Sequence, residues 1–212
     1  MALYNGPKCR LCRREGIKLF LKGERCHTAK CAIARRGDNY PPGMHGWKRM
    51  RKSSEYGLQL REKQRLKRMF GVLERQFRRM FALAQKTRGN TGVALLQLME
   101  RRLDNVVRAA GFGYGPRSAR QVVGHGLLFL NGKPVNVPSI LVKPGDVVTA
   151  APREKVKTFL AKVVEASKSY QQVPGWLERD ESGLSIRVLN LPTREEFPYQ
   201  IREQLIVEGL SK

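Results

Sequence analysis

The stretch that decides the fold reads Arg102-Leu103-Asp104-Asn105-Val106-Val107, Gly111-Phe112, Ser118-Ala119-Arg120-Gln121-Val122-Val123-Gly124-His125-Gly126, Leu127 to Leu130, then Asn131-Gly132-Lys133-Pro134-Val135-Asn136. Its patterns give a helix, a loop, a short helix capped near Ser118, a strand, an Asn-Gly hairpin turn and a second strand. Lys143-Pro144-Gly145-Asp146 makes the next turn, into Val147-Val148-Thr149. A helix pair packed on a short antiparallel sheet follows. Arg117, Arg120, Gln121 and His125 lie on or beside the short helix, and Lys133 and Lys143 sit at turns. Donors of this kind suit the phosphate oxygens of a helical RNA, spaced along a groove.

Upstream the chain reads as basic helices. Ser53 or Ser54 offers an N-cap, Glu55 suits the positive helix end, and Tyr56, Leu60, Gln64 and Lys67 recur at helical spacing. Arg61, Lys63, Arg65 and Arg68 decorate that helix as candidate RNA contacts, and Gly71 ends it. A second helix, from about Glu74 to Arg88, aligns Phe77, Met80, Phe81 and Ala84 toward a core. A third pattern runs from the Thr91 cap through Leu95, Leu96, Leu98, Met99, Leu103, Val106 and Val107 to Ala110. Before these helices, Tyr40-Pro41-Pro42-Gly43-Met44-His45-Gly46-Trp47-Lys48-Arg49-Met50-Arg51-Lys52 reads as a loop. Trp47 beside Lys48, Arg49 and Arg51 pairs a stacking surface with positive charge, which suits unpaired strands. The plainer alternative is that these cations neutralise folded RNA while Trp47 packs under the loop.

Charge supports a polyanionic partner. The 212 residues hold 41 Lys and Arg against 18 Asp and Glu, a formal charge of +23. Through Asn90 there are 24 basic and 6 acidic residues, from Thr91 to Pro152 7 and 3, and beyond that 10 and 9. A merely soluble surface mixes signs, as the last segment does; the first ninety residues would repel themselves without a counter-charge. With 41% hydrophobic residues the chain has material for real cores. Neither a membrane-length apolar run nor a signal-peptide core is present, so a cytosolic protein is expected.

All four cysteines lie in the first 31 residues, as Cys9-x2-Cys12 and Cys26-x4-Cys31. Two close pairs across a short loop can place four thiolates around one zinc ion, about 2.3 Å from it, in a closed structural site. Unliganded thiols and an iron–sulfur cluster are the alternatives. His27 could replace a sulfur, though a surface histidine or phosphate contact suits it better. Arg10, Arg13, Arg14, Arg25 and Lys30 surround the sulfurs and are expected to lower their pKa values. Arg10, Arg13, Arg14 and Lys22 are also candidate RNA contacts.

From Arg102 to Asn136 the sequence resembles the RNA-binding module named after the fourth protein of the small ribosomal subunit. Further motifs extend the likeness along nearly the whole chain to the bacterial family of that protein, in its zinc-bearing variety. They are Gly6-Pro7 with the cysteines, Pro42-Gly43-x-His45-Gly46, Tyr56-Gly57-x-x-Leu60-Arg61-Glu62-Lys63-Gln64, Leu73-Glu74-Arg75-Gln76-Phe77, Trp176-Leu177 and Glu203-Gln204-Leu205-Ile206-Val207-Glu208. Gly113-Tyr114-Gly115-Pro116 departs from the pattern and obscures where the second module helix begins. The resemblance implies an inserted module, a closing segment that returns to the basic helices, and early binding of 16S ribosomal RNA at a helix junction. It further implies organisation of subunit assembly, support of decoding accuracy, and a basic stretch near the mouth of the messenger channel beside the third and fifth small-subunit proteins.

The expected fold is α+β and mainly helical. Residues 1–45 form a zinc-binding segment, 46–97 with 174–212 a basic helical domain, and 98–173 the inserted module, with Pro174-Gly175 as boundary and Val156 to Tyr170 as a helix turning Phe159, Leu160, Val163 and Val164 inward. The expected function is a non-enzymatic structural RNA-binding protein of the small subunit, without membrane or small-molecule partners. The competing reading is an RNA-modifying enzyme of the pseudouridine synthase type. Such enzymes can carry the same module and depend on an aspartate after Arg-Leu, which Arg102-Leu103-Asp104 matches. Against it, the triplet lies inside the module's own first helix and no separate catalytic domain remains.

Overall fold

A computed structural model describes residues 4–35, 40–48, 52–180, 182, 184–197 and 201–211. In chain order the described helices are α1 (Lys8–Glu15), α2 (Ala32–Arg35), α3 (Glu55–Met69), α4 (Glu74–Gln85), α5 (Thr91–Glu100), α6 (Leu103–Ala109), α7 (Pro116–Gly124), α8 (Glu154–Lys168) and α9 (Glu203–Ser211). The strands are β1 (Leu128–Leu130), β2 (Lys133–Val135), β3 (Val147–Ala150), β4 (Leu177–Arg179) and β5 (Ser185–Val188). The chain divides into two units, residues 1–95 with 199–212 and residues 96–198. None of these helices is long and apolar enough to cross a membrane.

In the first unit, Ser54 caps α3 by accepting a hydrogen bond from the Gly57 N–H at 3.2 Å. Gly71, with φ +61°, closes the turn beyond that helix. The buried face of α3 is Gln59, Glu62, Leu66 and Met69, not the row that includes Tyr56, which is 71% exposed. Polar side chains occupy the inward face because α9 packs there: a side chain on Gly209 would stand 3.0 Å from the Gln59 Cβ, and Gln59 Nε2 donates to Glu208 at 3.4 Å. Ile206 of α9 is buried as the apolar closing segment required. On α4 the buried residues are the expected Phe77, Met80, Phe81 and Ala84.

Carboxylates from neighbouring elements fasten α3 on both sides. Glu15, at the end of α1, accepts from Arg61 Nη1 at 3.3 Å and from Arg68 Nη1. Glu74, at the start of α4, accepts from Lys63 at 3.0 Å and Lys67 at 2.6 Å, and from Arg78 one turn on at 3.2 Å. Partial burial alone would raise the Glu74 pKa; the hydrogen bonds from Lys67, Lys63 and Arg78 outweigh it and hold the carboxyl at about 2.

The second unit is built on an antiparallel sheet of order β2-β1-β3-β5-β4. Asn131 and Gly132, with φ +50° and +78°, make the expected two-residue hairpin turn. The Asn131 side chain ties it down, accepting from the Val147 N–H at 2.9 Å and donating to Asp146 at 2.9 Å. One apolar cluster runs from Leu103 and Phe112 through Leu128 and Val148 to Trp176 and Ile186. The boundary expected at Pro174-Gly175 falls inside this unit, because β5 pairs with β3 and carries β4 into the same sheet. Only the segment from 199 onward belongs with the basic helices. On α8 the expected Leu160, Val163 and Val164 are buried, with Val156 and Ser167 completing their face, whereas Phe159 is 44% exposed instead of inward.

The expected single helix from Thr91 to Ala110 is broken at Arg102, whose φ −63° and ψ 134° are extended. There the backbone pairs with another segment: the Val142 N–H donates to the Arg101 carbonyl at 2.9 Å, and the Leu103 and Asp104 N–H groups donate to the Ile140 and Pro138 carbonyls at 2.8 and 3.1 Å. Those carbonyls satisfy donors that the first turn of a helix leaves without partners. The second module helix begins at Pro116, a residue whose fixed φ suits a first helical position, rather than near Ser118. Gly113 lets the preceding loop pass the helix, since a Cβ there would lie 2.6 Å from the Ala119 nitrogen.

The two module helices are locked by a buried charge cluster. Asp104 of α6 accepts from Arg102 Nε and Nη2, both at 3.2 Å, and from Arg120 Nη1 of α7 at 2.9 Å. All three residues are buried. Removing one partner of such a cluster leaves uncompensated charge in the interior, at a cost of about 3–5 kcal/mol. Asp104→Ala should therefore destabilise the 96–198 unit by about that amount, read as an earlier unfolding transition in urea; a change below about 1 kcal/mol would show that the cluster does not hold the helices.

The Glu74 clamp has a pH signature. Its folded pKa lies below the unfolded carboxyl value of about 4.3, so the stability it contributes is fully present above that value and is lost as pH falls through about 2. Carbon NMR of the Glu74 carboxyl should give a midpoint near 2, whereas one above 4 would mean the three pairs do not persist in solution.

Candidate nucleic-acid interface

The cysteines come from three short elements. Cys9 and Cys12 lie on α1, Cys26 ends a tight helical turn over Gly23–Cys26, and Cys31 directly precedes α2. Cys12, Cys26 and Cys31 are buried and Cys9 is half-buried. All four line one small cavity together with Lys8, Leu21, Lys22, Arg25, Ala32 and Ile33. Among the described residues no three His, Cys, Asp or Glu side chains stand as they are in an arrangement that holds a metal ion.

The expectation that neighbouring cations dominate the thiol acidities is corrected. Burial pushes the Cys12 thiol up to about 11 against a backbone hydrogen bond from Leu19, and burial likewise raises Cys26 against the Lys22 N–H at 3.4 Å. The surrounding side chains extend outward: Arg10, Arg14, Lys22, Arg25 and Lys30 are exposed. The Arg13 guanidinium lies 5.9 Å from the Tyr40 ring centre. His27 is exposed with its ring 5.0 Å from that of Phe20, and its pKa is lowered by partial burial and by Lys18.

On α3 the structure revises the candidate set. Arg61, Lys63, Arg65 and Arg68 are half-buried and paired with Glu15, Glu74, Glu62 and Glu15 respectively. Their first role is internal. The outward charge lies instead on and beyond α4, where Arg75, Arg78, Arg79, Lys86 and Arg88 are exposed. Sequence reasoning fixed on the aromatics of this helix and passed over its opposite face; with Phe77, Met80, Phe81 and Ala84 inward, the arginines between them must point out.

In the second unit Arg117, Gln121 and His125 are exposed at four-residue spacing, one row along α7 and its C-terminal cap. Arg120 is not part of that row. It is buried against Asp104, so it is a structural residue and not a phosphate contact. Lys133 at the hairpin and Lys143 at the following turn are exposed. In the basic loop, Trp47 is 71% exposed, its Nε1 donates to the Met44 carbonyl at 2.9 Å, and the Lys48 ammonium lies 5.8 Å from its ring centre. An indole so placed does not pack beneath the loop. Arg49 and Arg51 lie outside the described residues.

The enzyme reading fails on Asp104. With both oxygens bonded to buried guanidinium groups and only 6% exposure, it is closed to a substrate base.

Comparison with known proteins agrees with this geometry. Residues 3–100 match the model of the ribosomal protein S4/S9 N-terminal domain, and residues 101–148 match the S4 domain. The chain is 55% identical to the small ribosomal subunit protein uS4 of Caldicellulosiruptor bescii, 54% to that of Dictyoglomus turgidum and 51% to that of Thermoanaerobacter sp. strain X514, each across the full length of both chains. With a basic helical unit, an exposed donor row on a module helix and relatives matched from end to end, the chain belongs to the uS4 family of small ribosomal subunit proteins.

Proposed function

We propose that this protein organises the body of the small ribosomal subunit by neutralising closely approaching 16S ribosomal RNA helices with its first unit while its second unit fixes their orientation. It is a structural constituent of the ribosome that binds ribosomal RNA, not an enzyme. The observation that carries the mechanism is the segregation of charge: 24 basic residues against 6 acidic ones before Thr91, with Arg10, Arg14, Lys22, Arg75, Arg79, Lys86 and Arg88 at the surface. Counter-ions released from RNA by such contacts drive binding without reading sequence. The α7 row and the two turn lysines are few, and they sit on a rigid apolar module, which suits recognition by shape.

Early action in assembly and support of decoding accuracy fit a protein that fixes helix orientation at an RNA junction. The loop bearing Lys48, Arg49 and Arg51 acts on messenger RNA near the mouth of its channel, beside the third and fifth small-subunit proteins. The exposed indole of Trp47 supports this, since a ring turned to solvent beside a cation offers a base a stacking face.

Cys9, Cys12, Cys26 and Cys31 hold one structural zinc ion. What supports this is the donor set, four soft sulfurs lining one small cavity, so that closure around an ion asks for side-chain movement into a space they already share. A four-sulfur site has no open position, and the ion's part is to fold the amino-terminal segment.

Arg117→Ala with Lys133→Ala should weaken binding to a 16S RNA fragment and flatten the dependence of log K on log salt by roughly 1.4 to 1.8, two phosphate contacts' worth, with the fold intact. An unchanged slope would put the RNA on another face. Elemental analysis of the chain purified without chelator should find one zinc per molecule; stoichiometric iron, or four freely titrating thiols with no metal, would refute the zinc site. Cys26→Ser should remove the metal and leave the 96–198 unit folded, since none of the cysteines belongs to that core.

A further inference from the structure

α1 has an oddity that its own stability does not explain. It is eight residues long, too short to persist unaided, and it ends on a carboxylate, the sign that a helix C-terminus disfavours. That carboxylate, Glu15, has a side chain only 1% exposed, fixed by Arg61 and Arg68. The two arginines are seven residues apart on α3, two turns along one face, so they grip a single group from the same side. One turn before Glu15, the same short helix presents Cys12, and one turn earlier Cys9. A rod this short is held at one end by the thiols and at the other by the buried carboxylate.

We propose that Glu15 is the positioning residue through which the cysteine cluster and helix α3 stabilise each other, so that capture of the metal ion and docking of α1 on α3 are a single coupled event. The coupling follows from the length of α1. Ordering a helix of two turns costs conformational entropy, and whichever anchor forms first removes that cost for the second. Linkage makes the effect reciprocal: docking raises metal affinity by the same factor by which the metal strengthens docking. Arg61 and Arg68 gain a second meaning, as cations withheld from the outer surface while α1 is docked and released when the metal is lost.

This inference rests on the zinc reading, and the experiment separates the two. Zinc affinity of the full chain is measured by competition with a chromophoric chelator, in wild type, in Glu15→Gln, in Arg61→Gln with Arg68→Gln, and in the combination of all three. Glu24→Gln serves as control, since it removes one exposed negative charge nearer to the cysteines in sequence. Glu15→Gln should weaken zinc about tenfold, the arginine pair by a similar factor, and the combination little further, because all three break one connection. Glu24→Gln should change affinity less than twofold.

Hydrogen exchange gives the reciprocal readout: removing zinc should speed exchange of the α3 amides around Arg61 to Arg68 in wild type and change them little in Glu15→Gln. Should Glu15→Gln fail to fold, the arginine variant carries the same test. A wild type that takes up no zinc overturns the metal site and this coupling with it. A wild type that takes up one ion, with variants that bind it as tightly or with effects that simply add, overturns the coupling alone.

Discussion

Too few carboxylates among too many cations is the constraint on which the first unit depends. Arg61, Lys63, Arg65, Lys67 and Arg68 crowd five positive charges into eight residues of α3, a density at which neighbouring turns repel. The remedy is placement rather than number. Glu15 takes two of these cations from α1, Glu74 takes two from α4 along with Arg78, and Glu62 takes Arg65 within the helix. Because two of those acids belong to other helices, relief of repulsion along α3 and attachment of its neighbours are the same contacts. Ion pairs at the surface add little to stability in isolation, but here Glu15 gathers two cations and Glu74 three, and each is itself partly withdrawn from water.

The second unit solves a different problem. Its charge is closer to balance, 15 basic residues against 10 acidic ones, and it closes a continuous apolar core from Leu103 to Val188. Against that core a buried charge cluster, Asp104 between Arg102 and Arg120, joins the helix that follows the break at Arg102 to the helix that carries Arg117, Gln121 and His125. Two buried arginines thereby set the direction in which an exposed one points. Gly113 allows the approach, and the contact of α7 on α6 is what a side chain at that position would push apart.

Features written in local patterns were legible in the sequence: the Asn131-Gly132 hairpin, the stop at Gly71, the inward face of α4 and the convergence of four cysteines on one small region. Those that failed depend on a partner far along the chain. Glu15 meets α3 across 46 and 53 residues, β5 reaches β3 after α8 has intervened, and the break at Arg102 exists because residues 138–142 pair beside it. Arg120 was misread for the same reason. An arginine on a short amphipathic helix looks like a donor to solvent, and nothing within one turn announces the carboxylate sixteen residues before it. On α3 the hydrophobic pattern was sought where the inward face holds Gln59 and Glu62, so periodicity pointed to the wrong residues. Family resemblance located the chain correctly but could not say which cations face outward, since charge is visible in sequence and pairing is not.

Burial also decides between binding and catalysis. A catalytic carboxylate needs an environment that perturbs it and a path by which a substrate reaches it. Among the described residues the perturbed acids are Glu15, Glu74 and Glu100. Burial raises Glu15 and Glu100 against the pull of nearby arginines, and Glu74 is lowered by its three cationic partners. Each is tied up in contacts between helices: Glu15 and Glu74 at α3, and Glu100 at Asn105 across the break between α5 and α6. Asp104 is enclosed by Arg102 and Arg120, which join α6 to α7, so the Arg-Leu-Asp triplet has here the chemistry of a fastener. The negative charges that could have served a reaction are engaged in holding helices together, and what the surface of the first unit presents is mostly the remaining positive charge, which has a use only when a polyanion is present.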